Sequence, residues 1–213
     1  MIDDGFKSLI QDIRALHLIA AAHNAGLCPI RGNRLHVLAY LSNLLAPVWG
    51  LNPLEGKLLK LADGPYYPEL QISLDRLIGI GLIEVSEVLY TRTTDNNFIP
   101  NGFYQPIWSR FNPILSLIND WSDEANSYAF LKEVAFAVSA LPEHFIEKTS
   151  SEDATYVDGS IDFGNVIDFS EWRTKNFSAN AANSLSTISN YHPDNAEKLH
   201  FYVNHLYSRI NNE

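Results

Sequence analysis

The segment Gly50-Leu-Asn-Pro-Leu-Glu-Gly56-Lys57-Leu58 is the closest approach in this chain to a phosphate-binding loop. Such a loop places four residues between its glycines, so that successive backbone amides curl around one phosphate. It follows the lysine with Ser or Thr to hold magnesium. Here the gap is five residues, a proline removes an amide, and Leu58 has no oxygen to offer a metal. The seven histidines do no better as ligands. His17 and His23 are six apart and His200 and His205 five apart, whereas paired ligands on one helix face fall four apart. The single cysteine, Cys28, adds no second ligand nearby. There is no Gly-x-Ser-x-Gly elbow, and Asp158-Gly159-Ser160 has no adjacent histidine to activate its hydroxyl. Carboxylates crowd residues 143–171, and a solvated acidic loop is the ordinary account of such a run. The expectation is a protein that is not an enzyme, with no catalytic residue, cofactor or metal ligand.

Recognition is the better reading. Residues 56–90 are patterned as a short helix, a Gly64-Pro65 turn, an amphipathic helix from Tyr67 to Ile80 and a strand, the order of the recognition half of a winged helix. In a DNA reader the second helix enters the major groove, where several Lys or Arg must displace condensed counterions. This helix has one base, Arg76, against Glu69 and Asp75. A DNA-binding regulator would have to rely on Lys57, Lys60, Arg76 and the wing residue Arg92, so DNA contact is expected to be weak or confined to a larger complex. Residues 1–110 hold nine basic and ten acidic residues, a net of −1. Residues 111–213 hold six and fifteen, a net of −9, within the total of −10. An acidic surface favours a basic protein partner. Tyr66 and Tyr67 beside the Gly-Pro turn, Trp172, and the acids Glu143, Glu147 and Glu152 are the expected partner-binding residues, since Tyr and Trp bury much area at low entropic cost.

The elements that must hold these residues are legible from periodicity. Residues 6–25 form an amphipathic helix stopped by Gly26, and 33–46 a helix apolar almost all round and therefore buried. Leu82 to Thr94 and Phe103 to Trp108 read as the two strands of a short wing around Asp95-Asn96-Asn97. Helices follow at 114–121, 124–141 and 180–189, with an exposed acidic connector over 148–168. A capping box at Asp194 and Glu197 opens a final helix carrying Leu199, Val203 and Leu206. The expected fold is mainly α, in the α+β class. A winged-helix-like lobe with a short β-wing (1–110) packs on an acidic helical lobe (111–213). No apolar run is long enough for a membrane span, MIDDGFK is not a secretory leader, and one cysteine suits a reducing compartment, so a cytoplasmic setting is expected.

The runs Leu35-His-Val-Leu-Ala-Tyr-Leu41, Gly64-Pro-Tyr-Tyr-Pro-Glu-Leu-Gln71, Leu74-Asp-Arg-Leu-Ile-Gly-Ile-Gly-Leu-Ile83 and Ile167-Asp-Phe-Ser-Glu-Trp-Arg-Thr-Lys-Asn176 resemble the middle component of bacterial ABC-three-component defence systems. Lamassu-type anti-phage systems are a branch of these. The resemblance implies a small non-catalytic subunit beside an SMC-like ATPase and a separate effector such as a nuclease. Unlike the tandem winged-helix subunits of bacterial condensins, residues 111–213 show no clear second winged helix. A weaker likeness is to adaptor-type antitoxins of the Panacea group, which share a Gly-Pro turn before an amphipathic helix, and this keeps an antitoxin or adaptor role as an alternative.

Overall fold

A computed structural model of the chain describes residues 2–53, 57–93, 98–169, 176–185 and 192–211. In chain order the elements are α1 (Ile2–Asn24), β1 (Ile30–Arg31), α2 (Gly32–Leu45), a 3-10 turn (Ala46–Trp49), β2 (Leu58–Leu61), β3 (Gly64–Tyr66), α3 (Pro68–Gly79), β4 (Ile83–Arg92) and β5 (Phe98–Pro106). There follow α4 (Trp108–Asn119), α5 (Ser122–Ser139), α6 (Glu143–Ile146), a 3-10 turn (Ser150–Glu152), α7 (Ala154–Val157), β6 (Val166–Ile167), α8 (Phe177–Leu185) and α9 (Asn195–Asn211). The architecture is α+β and mostly helical, with two small antiparallel sheets ordered β1-β5-β4 and β3-β2-β6.

Local chemistry sets the helix ends. Gly26, at φ +75°, lets the chain leave α1 with the Leu27 N–H donating to the Ala22 carbonyl. Gly81, at φ +72°, does the same for α3, the Leu82 N–H reaching the Leu77 carbonyl. Pro68 opens α3, where a missing N–H costs nothing. α2 is buried along almost its whole length and forms the axis of the core. One apolar cluster runs from Leu16 and Ile19 of α1 through Leu38 and Leu41 of α2 to Val134 of α5 and Val203 of α9. Leu74 and Leu77 lie in it, as the spacing of α3 predicts. The capping box of α9 is reciprocal: the Glu197 N–H donates to Asp194 Oδ1, and the Asp194 N–H to Glu197 Oε2. Among the described residues no helix is long and apolar enough to cross a membrane.

Three segments depart from the sequence expectation. The short helix expected before Gly64-Pro65 is the β2–β3 hairpin, with Leu59 opposite Tyr66 and Leu61 opposite Gly64. So few residues cannot sustain a helix alone, and β6 pairs the far side of β2, Leu58 opposite Ile167. The connector over 148–168, expected to be exposed, supplies that strand and buries Thr149, Ser150, Asp153, Thr155 and Tyr156. The return strand of the wing, β5, begins at Phe98 rather than Phe103, while β4 stays within the expected 82–94, and the pair contains a bulge. Glu87 (φ 51°) and Val88 oppose the single residue Gly102, where a Cβ would come within 2.8 Å of the Val85 side chain.

Candidate docking surface

α3 presents Ile72, Asp75 and Gly79 to solvent, with Glu69 partly covered. Its one base does not point away from the protein. The Arg76 guanidinium grips Asp12 of α1, with Nε 3.0 and 3.1 Å from the two carboxylate oxygens and Nη2 2.7 Å from Oδ1. Nη2 also donates to Ser73 Oγ. The outward face of this helix is therefore apolar to acidic.

Lys60 requires a correction as a DNA-facing candidate, because it is only 3% exposed. Its ammonium donates to the carbonyls of Asp158 (2.9 Å) and Ile161 (2.7 Å) and lies over the rings of Phe163 and Tyr156. Burial lowers its pKa, opposed by the Asp158 and Asp162 carboxylates. Lys60 thus acts as an internal cation that folds the 158–165 loop over β2. Lys57, just before β2, and Arg92, at the end of β4, are exposed.

Tyr67 also requires a correction, as it is a core residue rather than a surface anchor. It is 4% exposed, its hydroxyl accepts from Asn43 Nδ2 at 2.7 Å, and its N–H donates to His36 Nδ1 at 3.3 Å. Burial raises the phenol pKa strongly and pushes that of His36 down to about 4. Tyr66 is half-buried, its ring 4.7 Å from the His36 ring, beside a cleft of about 120 Å³ that Asn33, Asp63, Thr91 and Asn101 also line. His17 is buried too, against Tyr128, and burial followed by the nearby Arg14 charge brings it to about 4. Glu143 and Glu147 are exposed, each 2.9 Å from the Arg34 guanidinium of α2 in a surface ion-pair cluster. Glu152 is partly exposed. Trp172 lies outside the described residues.

Asp153, fully buried, is the focus of the acidic half. Its Oδ1 accepts from the Tyr40 hydroxyl (2.5 Å) and from the N–H groups of Thr155 (2.9 Å) and Tyr156 (3.1 Å), so that it also caps α7. Oδ2 accepts from the hydroxyls of Ser178 (2.7 Å) and Tyr202 (2.5 Å). One carboxylate ties α2, α7, α8 and α9 together. Burial, then the carboxylate charge, raises the pKa of both tyrosines.

Two exposed apolar surfaces were not among the expected site residues. On α4, Phe111, Leu115 and Ile118 are buried while Ile114, Leu117 and, just beyond the helix, Trp121 face water. The last three are spaced i, i+3, i+7, a second apolar stripe that the sequence does display. Exposed Asp120 and Asp123 flank Trp121. The other surface is the β4–β5 hairpin, where Val88, Leu89, Tyr90 and Phe98 are exposed. Among the described residues no cluster of three or more His, Cys, Asp or Glu could hold a metal. No protein-family model, curated protein or solved structure matches this chain.

Proposed function

We propose that this chain is a winged-helix-like, non-catalytic accessory subunit of a cytoplasmic prokaryotic anti-phage complex, docking protein rather than DNA. The observation that carries the docking role is the outward face of α3, which offers Ile72 and Asp75 while its only base is locked onto Asp12. The chain order α1-β1-α2-β2-β3-α3-β4-β5 with sheet order β1-β5-β4 supports the winged-helix reading, in which the β2–β3 hairpin is an insertion between α2 and α3. The partner is an SMC-like ATPase or its effector, on the strength of the sequence resemblance. It meets the acidic half through Trp121, Leu117 and Ile114. The aspartates beside Trp121 select a basic surface by complementarity, and the ring is an anchor of the kind that dominates interface energetics.

The test is affinity capture of the native complex from the source cell, read by mass spectrometry. A stoichiometric ATPase with a long coiled coil, lost with Trp121→Ala, is the expected result. Capture without any such ATPase would overturn the assignment. In parallel, anisotropy titration with duplex DNA at physiological salt is expected to show weak, sequence-independent binding. Nanomolar sequence-specific binding would favour a regulator using Lys57 and Arg92.

A further inference from the structure

The two most exposed large apolar side chains among the described residues are neighbours on β4: Leu89 at 71% and Tyr90 at 69%. Phe98 (66%) and Val88 (44%) are exposed at the same end of the hairpin, whose outer part is thus apolar on both faces. β4 is an edge strand, with β5 on one side and no strand on the other among the described residues. Tyr90 lies opposite Pro100, which has no N–H, so these residues cannot exchange a pair of hydrogen bonds. The Tyr90 N–H and carbonyl therefore point to the open edge. The half of the edge nearer the core carries Glu84, Glu87 and the bulge, devices that block strand addition. Beyond the bulge pair Glu87 and Val88, residues 89–92 run in regular register and carry no acid.

We propose that this outer edge joins two copies of the chain, β4 pairing antiparallel with its counterpart about a two-fold axis at Tyr90. In that register Tyr90 meets Tyr90 of the second copy, Leu89 meets Thr91 of the second copy, and Val88 covers the aliphatic stem of Arg92 of the second copy. A second copy fits better than a charged partner, because residues 88–103 carry only Arg92 and Asp95, a net of zero on a chain of net −10. Two acidic molecules repel least where they meet through this hairpin. The area is of the right order. At about 150–200 Å² for each of Val88, Leu89 and Tyr90, the exposed fractions leave about 300–350 Å² of apolar surface per copy on β4, with Phe98 one strand further from the joint. Strand backbone and hairpin flanks bring this toward the roughly 800 Å² per partner of a standard interface.

The proposal is tested on the full chain by sedimentation equilibrium from low to high micromolar concentration. The expected result is a reversible dimer that Leu89→Lys with Tyr90→Lys converts to monomer, with circular dichroism unchanged and with melting unchanged at concentrations where both proteins are monomeric, because both side chains stand in water in the single chain. A monomer at every concentration overturns the proposal, and so does a dimer that survives the double variant. The register is tested separately with Tyr90→Cys. Paired residues on the axis lie about 5.5 Å apart at Cα, within disulfide span. Native Cys28 does not compete, since burial pushes its thiol up to about 12. A disulfide-linked dimer under mild oxidation is expected, and its absence where the dimer is populated rules out the two-fold at Tyr90. An edge that binds only a different protein would leave the isolated chain monomeric in both assays and overturn the proposal.

Discussion

Replacing Asp153 by Ala removes the acceptor for five donors at a site closed to water: the hydroxyls of Tyr40, Ser178 and Tyr202 and the N–H groups of Thr155 and Tyr156. Each buried donor left unpaired costs about 1–3 kcal/mol. The five do not add. Ser178 can still pair with Thr155 Oγ1 at 2.8 Å, and the tyrosine hydroxyls can turn toward any water that enters the void. With two or three donors left without a partner, the expected loss is about 3–5 kcal/mol. Asp153→Asn is the informative companion. An amide oxygen in place of Oδ1 keeps the α7 cap and the Tyr40 bond, while its NH2 donates to Ser178 and Tyr202 in place of the reversed pair. The expected loss is about 1–2 kcal/mol, a couple of rearranged neutral hydrogen bonds. Urea titration followed by tryptophan fluorescence and by far-UV circular dichroism measures both variants. An Ala midpoint within error of wild type, or an Asn variant no more stable than Ala, would refute the account of this carboxylate.

Leu74→Ala and Leu77→Ala are each expected to lose about 2–5 kcal/mol in the same titration, as buried leucines do; unchanged melts would mean that the helix face is misassigned. His17 and His36, ordinarily near 6.5, are both brought to about 4 in the fold. The unfolded chain therefore binds protons first as pH falls. The stability from keeping these imidazoles neutral is complete above about pH 6.5 and drains away between there and pH 4, by up to about 3 kcal/mol for each group. A His17→Leu variant should show a shallower acid slope in urea titrations at stepped pH, and an unaltered slope would remove His17 from the account. Lys60→Met should strip two carbonyls of their donor and raise amide exchange across 158–165 while leaving DNA affinity unchanged; exchange equal to wild type would contradict the internal-cation role.

Much of the helical scaffold was legible because its cues are local. The apolar spacing of α1 and α3, the glycines at 26 and 81, and the Asp194–Glu197 box each act within a few residues. What was not legible depends on distant partners. Leu58-Leu-Lys-Leu61 has no decisive local preference, and as a strand it pairs β3 on one side and, on the other, β6 from a hundred residues away. Asp153 sits in a Ser- and acid-rich run that reads as solvated. It is buried only because Tyr40, Ser178 and Tyr202 converge on it, and nothing in its own neighbourhood announces them. Lys60 and Tyr67 misled for the same reason, since a charge or a phenol beside a turn looks exposed until its acceptor or donor is in place. Trp121 is the converse case. Its i, i+3, i+7 relation to Ile114 and Leu117 stands in the sequence, but one helix displaying two apolar stripes gives no sign of which faces the core.

The Asp153 node also has a temporal side. Its bond to Tyr40 spans 113 residues and its bond to Tyr202 another 49. Loops that long close slowly, so contacts of this kind form late and belong to the native side of the folding barrier. While the chain is being synthesised, α1 and α2 are available to collapse well before Tyr202 leaves the ribosome. Until then the carboxylate stays hydrated and the surfaces that α8 and α9 will cover stay open. The arrival of α9 is the latch: it supplies the second phenol and closes the carboxylate off from solvent.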